Sequence, residues 1–184
     1  LGHSFPTRRS SDLYSSTTGN GTTNCIARNN NCTGNGQEGI TIYGGIKKLS
    51  SGNSIIDNTS KNNRYNQIEV WQSDNNTVSG NNVAESISGI GNLGAICLFT
   101  STGTTVTGNT ILSAQNNGIS ITAGSLYNTI TNNNIANTNL NNNITAPEKG
   151  NAILLDSAGI SQPQYTTIRN NKISSSIGII QDRK

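Results

Sequence analysis

A six-residue pattern, [NT]-x-[IV]-x-x-N, restricts what this chain can fold into more than any other feature. It runs Asn24–Asn29, Asn53–Asn58, Asn76–Asn81, Thr104–Asn109, Asn128–Asn133 and Thr166–Asn171. Two positions beyond it stand Val83, Ile111, Ile135 and Ile173 in the last four copies, Ser60 in the second and Asn31 in the first. A second pattern alternates with it: small or polar, Ile, x, aliphatic, x. Its copies are Gly39–Tyr43, Gln67–Trp71, Ala95–Phe99, Gly118–Thr122 and Ala152–Asp156, and Gly178-Ile179-Ile180 begins another.

Two aliphatics two residues apart mark a short strand with one buried face. No regular two-residue turns join these strands as hairpins. They return instead at intervals of 23 to 38 residues, which suits a solenoid whose coils stack on one another. The predicted fold is all-β: a single-stranded right-handed parallel β-helix of about six coils over residues 24–181. Each strand then pairs with its equivalent one coil away, at roughly 4.8 Å per rung. The Asn that ends the first pattern suits a left-handed turn residue. Stacked coil on coil, Asn29, Asn58, Asn81, Asn109, Asn133 and Asn171 are predicted to form a side-chain ladder. That role accounts for much of the Asn content, 31 of 184 residues. It also accounts for the N-x-[ST] triplets at Asn20, Asn31, Asn58, Asn75 and Asn143 without glycosylation.

The ends stand apart from this grammar. His3–Leu13, HSFPTRRSSDL, resembles one reading frame of a common sequencing adapter. Asp182-Arg183-Lys184 matches the start of the same adapter on the other strand. Residues 1–23 are therefore expected to be a non-native or disordered segment, and residues 182–184 an adapter remnant. Without the suspect ends the chain carries 8 basic and 7 acidic residues. The basic pI thus offers no case for a nucleic-acid partner. No run approaches the ~20 apolar residues of a membrane span, so no membrane insertion is expected. Cys25, Cys32 and Cys97 are too few for a disulfide framework. A Cys25–Cys32 pair and two free thiols both remain open.

The alternation of G-I-x-I-x with N-x-I-x-x-N-x-I resembles the pectin-lyase-like superfamily of right-handed parallel β-helix proteins. It is most similar to the Asn-rich repeat type of periplasmic and extracellular bacterial proteins. The resemblance covers about residues 24–180. It implies an extracellular or periplasmic location and a polysaccharide partner. The superfamily includes lyases, hydrolases, epimerases, phage tailspikes and non-enzymatic binders, so the repeat carries fold rather than reaction.

The resemblance also implies that the first sheet and its loops form the substrate groove. The G-I-x-I-x strands are assigned to that sheet. Their third and fifth letters are predicted to face outward: Thr41 and Tyr43, Glu69 and Trp71, Cys97 and Phe99, Ser120 and Thr122, Leu154 and Asp156. Tyr43, Trp71 and Phe99 then fall at one template position in three successive coils, about 4.8 Å apart, close enough for ring contact. Trp71 is the sole Trp of the chain. Such a file suits either a platform for sugar rings or an aromatic ladder that stabilises the sheet edge. The candidate substrate-binding residues are Tyr43, Glu69, Trp71, Phe99 and Asp156.

Catalysis is tested by distance. Glu69 and Asp156 lie three rungs apart, about 14 Å, whereas paired-carboxylate hydrolysis needs roughly 5 to 9.5 Å. Glu148 and Lys149 near Asp156, and Lys47, Lys48 or Arg64 near Glu69, are the other charged groups of interest. The sole histidine, His3, lies in the adapter-like segment. No metal-ligand motif and no cofactor signature are present. The function expected is that of a polysaccharide-interacting β-helix, part of a carbohydrate-active protein. The alternative is a non-enzymatic surface, adhesin or phage-tail-type module.

Overall fold

The computed structural model describes residues 11–14, 21–44, 50–85, 94–138, 150–176 and 178–181. All described regular structure is β-strand, and every pairing is parallel. Three sheets run the length of the rod. The seven-stranded sheet is made of Ser11–Tyr14, Ile40–Tyr43, Ile68–Trp71, Ile96–Phe99, Ile119–Thr122, Ile153–Asp156 and Ile179–Gln181, stacked in chain order. A six-stranded sheet takes the first half of each Asn-ended pattern, from Ile26–Arg28 to Thr167–Arg169. Another takes the residues just beyond the Asn, from Asn31–Thr33 to Lys172–Ser174. The predicted parallel β-helix is therefore the observed fold. Ser11–Tyr14, inside the segment expected to lie outside the solenoid, runs parallel to Ile40–Tyr43.

The core is three files of side chains that meet along the axis. Ile40 and Ile42, Ile68 and Val70, Ile96 and Leu98, Ile119 and Ile121 come from the seven-stranded sheet. Ala27, Ile55, Val78, Val106 and Ile130 come from the second sheet, and Cys32, Val83, Ile111 and Ile135 from the third. Burying one such Ile, Val or Leu side chain contributes roughly 1.5–3 kcal/mol. Because the fold gives each coil several, every rung adds a similar increment, as in other solenoids.

The first coil corrects the sequence reading by one residue. Ile26 pairs with Ser54, Ala27 with Ile55 and Arg28 with Ile56. The frame is therefore Cys25–Asn30, not Asn24–Asn29. Strand side chains alternate with period two, so this slip turns Ile26 outward, 63% exposed, and puts Ala27 into the core at 8%.

The ladder is present with the same shift in its first member. The Oδ1 of Asn58 accepts from the backbone N–H of Asn30 at 2.8 Å and from its side-chain amide at 2.9 Å. The same double acceptance repeats for Asn58 on Asn81, Asn81 on Asn109, Asn109 on Asn133 and Asn133 on Asn171. Each inner Asn also donates to a carbonyl one coil away, as Asn109 does to Val78. The left-handed turn is not made by these Asn residues. It falls on the residue before each: Asn29, Asp57, Gly80, Gly108, Asn132 and Asn170, with φ between 55° and 66°. The ladder Asn is thus kept for its hydrogen bonds, and its neighbour for its backbone. A second left-handed position precedes the second sheet, at Asn24, Gly52, Asn75, Gly103, Tyr127 and Tyr165.

Candidate functional site

Two columns run along the outer face of the seven-stranded sheet. The register places Thr41, Glu69, Cys97, Ser120 and Leu154 in one, and Tyr43, Trp71, Phe99, Thr122 and Asp156 in the other. Both point away from the core cluster, as the alternation predicts. Their exposure differs from expectation.

The first column is sealed. Glu69 is 6% exposed and Cys97 1%, while Thr41, Ser120 and Leu154 are fully buried. Part of the cover comes from the residues that lead into the strands. Asn66 donates its side-chain amide to Glu69 Oε1 at 2.8 Å, and its carbonyl accepts from Gly39 N–H at 3.1 Å. Glu69, expected to face solvent, is instead buried, with the Asn66 amide on its carboxylate.

Cys97 records the same seal. Burial, then the Glu69 carboxylate, pushes its thiol from the ordinary 9.0 up to about 12; the nearby Ser120 hydroxyl opposes the shift and Glu38 adds to it. Between these values the unfolded chain ionises its thiol and the native chain does not. Cys97's contribution to stability is therefore expected to be constant below pH 9 and to fall as pH rises toward about 12. Thiol labelling of the native protein at pH 8 should leave Cys97 unmodified until denaturant is added; prompt native labelling of Cys97, located by mass spectrometry, would contradict the seal. All three cysteines are free, so the open question of a Cys25–Cys32 pair resolves to two thiols.

The second column is partly open. Tyr43, Trp71, Phe99 and Asp156 are half-buried, whereas Thr122, expected on the surface, is buried and donates its hydroxyl to Leu98 O at 3.3 Å. Tyr43 and Trp71 stack with centroids 6.1 Å apart at 11°, and Trp71 and Phe99 at 3.9 Å and 8°. The three rings form a continuous stack along the rod. Phe99 occupies one face of Trp71, so this stack turns mainly edges to solvent.

Of the other charged candidates, Arg64 is the one among the described residues. Arg64 lies over the Tyr65 ring, its Cζ 5.5 Å from the centroid. Lys47, Lys48, Glu148, Lys149 and His3 lie outside the described residues. Glu85, at the foot of a loop, is buried; its Oε2 accepts from Gln115 N–H at 2.7 Å, tying two coils together. Among the described residues no group of three His, Cys, Asp or Glu is placed to hold a metal ion. No described helix is long and apolar enough to cross a membrane.

A feature the sequence reading passed over is a second aromatic stack, Tyr127 on Tyr165, with centroids 4.8 Å apart at 8°. The signal was available: each Tyr directly precedes the first letter of an Asn-ended pattern.

The family model described as right handed beta helix region matches residues 13–181. Among solved structures, the chain is similar to the A-module of the mannuronan C-5 epimerase AlgE4 from Azotobacter vinelandii. The TM-score is 0.66 at 15% identity, over 89% of this chain and 45% of that one. It is also similar to the enzymatically active domain of tailspike protein 2 from bacteriophage CBA120, with a TM-score of 0.58 at 13% identity, over 86% of this chain and 21% of that one. The chain thus spans less than half the length of either structure, and at these identities the likeness is one of fold. No curated protein sequence matches the chain.

Proposed function

We propose, from the premise that this chain belongs to the right-handed β-helix family, that it is a polysaccharide-contacting β-helix of an extracellular or periplasmic protein. The observation that carries this reading is the Tyr43–Trp71–Phe99 stack on the outer face of the seven-stranded sheet. On a rod whose outside is mostly Asn, Ser, Thr and Gly, it is a continuous apolar strip. Contiguous strips of that kind mark contact sites more often than scattered apolar residues do. Aromatic surface also packs well on the C–H faces of pyranose rings. The two solved structures are named as an epimerase of mannuronan and as a tailspike with an enzymatically active domain, and both names are compatible with a glycan partner.

Contact rather than catalysis is the reading the geometry favours. Glu69 is sealed, and Asp156 stands three rungs away, about 14 Å. That exceeds the roughly 5 to 9.5 Å of a hydrolytic carboxylate pair. A non-enzymatic surface or tail-type module therefore accounts for the described residues without a missing step.

Trp71, as the sole Trp, reports on its own site. Titration with pectin, alginate and xylan oligomers should change its fluorescence with at least one of them. Trp71→Ala should then weaken that affinity by about tenfold, with the thermal transition retained. Silence of Trp71 toward every oligomer would remove the reading.

A further inference from the structure

The outer face of the second sheet carries hydroxyl residues in register. Ser54, Thr77, Thr105 and Thr129 stand in one column, and Ile56, Ser79, Thr107 and Thr131 in the next. Between the columns Ile55, Val78, Val106 and Ile130 are fully buried, so period-two alternation turns both columns outward. Thr131 is 6% exposed, and the other members are half-buried. The hydroxyls of Thr131 and Thr107 meet at 3.1 Å, rung to rung.

This face is regular, stiff and neutral. No pairing among its four rungs shifts register. Rungs repeat at roughly 4.8 Å, and two residues along a strand span about 6.6 Å. Thr is β-branched and has few χ1 states. The Asn ladder at the edge of the sheet ties each rung to the next, and side-chain ladders of that kind hold sheets flat. None of the four rungs contains a charged or aromatic residue. Charge stands at the ends, where Arg28 lies 3.9 Å from Asp57 and Arg169 follows Thr131 in the column.

A charged polymer finds no counter-charge in these rungs, and a sugar ring finds no aromatic platform. Water does find partners. Each Ser or Thr hydroxyl has one donor and two acceptor sites, and ordered first-shell water is held at small entropic cost. Thr methyls between the hydroxyls restrict where that water can sit. The two repeats of the array are close to the two oxygen repeats of the prism face of hexagonal ice.

We propose that this face binds ice. Water ordered on the Ser and Thr columns joins the lattice of a crystal lying against Ser54–Ile56, Thr77–Ser79, Thr105–Thr107 and Thr129–Thr131. A solid is the partner because it meets every rung at once. The activity is separate from glycan contact, whose residues stand on the seven-stranded sheet.

The test uses the full chain on a seeded ice crystal and in a frozen sucrose film. The native chain should separate the freezing point from the melting point and keep the crystals in the film small. Thr105→Lys sets a long charged side chain within the array and should abolish both effects. Thr110→Lys, the same change on the outer face of the third sheet, should preserve both. Both variants should melt with the native chain, since substitutions at such surface positions cost little. Should Thr105→Lys melt lower, Thr77→Lys repeats the test one rung away. Trp71→Ala should leave the ice effects intact, so failure of the glycan reading and failure of this one are distinguishable. Absence of both effects in the native chain overturns the proposal. So does their survival in Thr105→Lys, or an equal loss in Thr110→Lys. Two results without ice activity would assign the face to another occupant and overturn it as well. One is retention on powdered crystalline cellulose or chitin that Thr105→Lys abolishes. The other is a dimer in sedimentation that Thr105→Lys dissolves.

Discussion

Asn109→Ala is expected to destabilise the rod by about 3–5 kcal/mol, because several buried polar groups lose their partner at once, each worth about 1–3 kcal/mol. Asn109 is 1% exposed. Its Oδ1 accepts from Asn81 N–H at 3.0 Å and from the Asn81 amide at 2.9 Å. Its own amide donates to Val78 O and to Asn133 Oδ1, each at 3.0 Å. Truncation strands the Asn81 N–H and the Val78 carbonyl, both on the preceding coil, where water has little access. Asn171, the last member of the ladder, is half-buried and has no described ladder partner beyond it. Asn171→Ala should cost only about 1 kcal/mol. Denaturant midpoints of the two variants decide the matter. Equal and small effects would mean that the ladder decorates the turn rather than holds it.

The second large effect concerns two isoleucines that share one place in the sequence pattern. Ile55→Ala should cost about 2–5 kcal/mol, since Ile55 is fully buried between Ala27 and Val78. Ile26→Ala should stay within about 0.5 kcal/mol, because that side chain stands in solvent. Paired denaturation curves measure both. A large loss from Ile26→Ala would restore the frame that the pattern suggests and contradict the observed register.

Much of the fold was legible in the chain because the relevant signals are local. Period-two alternation in Ile40–Tyr43, Ile68–Trp71 and Ile96–Phe99 identifies which side chains enter the core. The return of that pattern once per coil is enough to specify a parallel solenoid. The same arithmetic stacks Tyr43, Trp71 and Phe99, and the rings do stack. The first coil was misread for an equally physical reason. Asn29, Asn30 and Asn31 stand in a row, so two frames one residue apart both end on Asn. Pairing against Ser54–Ile56, a coil away, chooses between them. The left-handed turn was misassigned because Asn serves both tasks, a left-handed backbone and a side-chain ladder. Only the observed φ angles separate Asn132 from Asn133.

The site was less legible than the fold. Alternation says that Glu69 and Cys97 point away from the core, and they do. It does not say what lies above them, and the described cover includes Asn66, reached through the turn rather than through the strand pattern. The Tyr127–Tyr165 stack shows the same limit from the other side. The two tyrosines are visible in the chain, but their contact exists only because their coils are neighbours, 38 residues apart along the chain.

What began as a repeating Asn-ended pattern thus determined, by itself, the parallel β-helix, its inward files and its aromatic column, since these follow from side-chain direction along a strand. Tertiary structure alone decided the register of the first coil, the burial of Glu69 and Cys97, and the stacking of Tyr127 on Tyr165. Those depend on what a residue meets on the neighbouring coil, 23 to 38 residues away along the chain, and no local alternation carries that information.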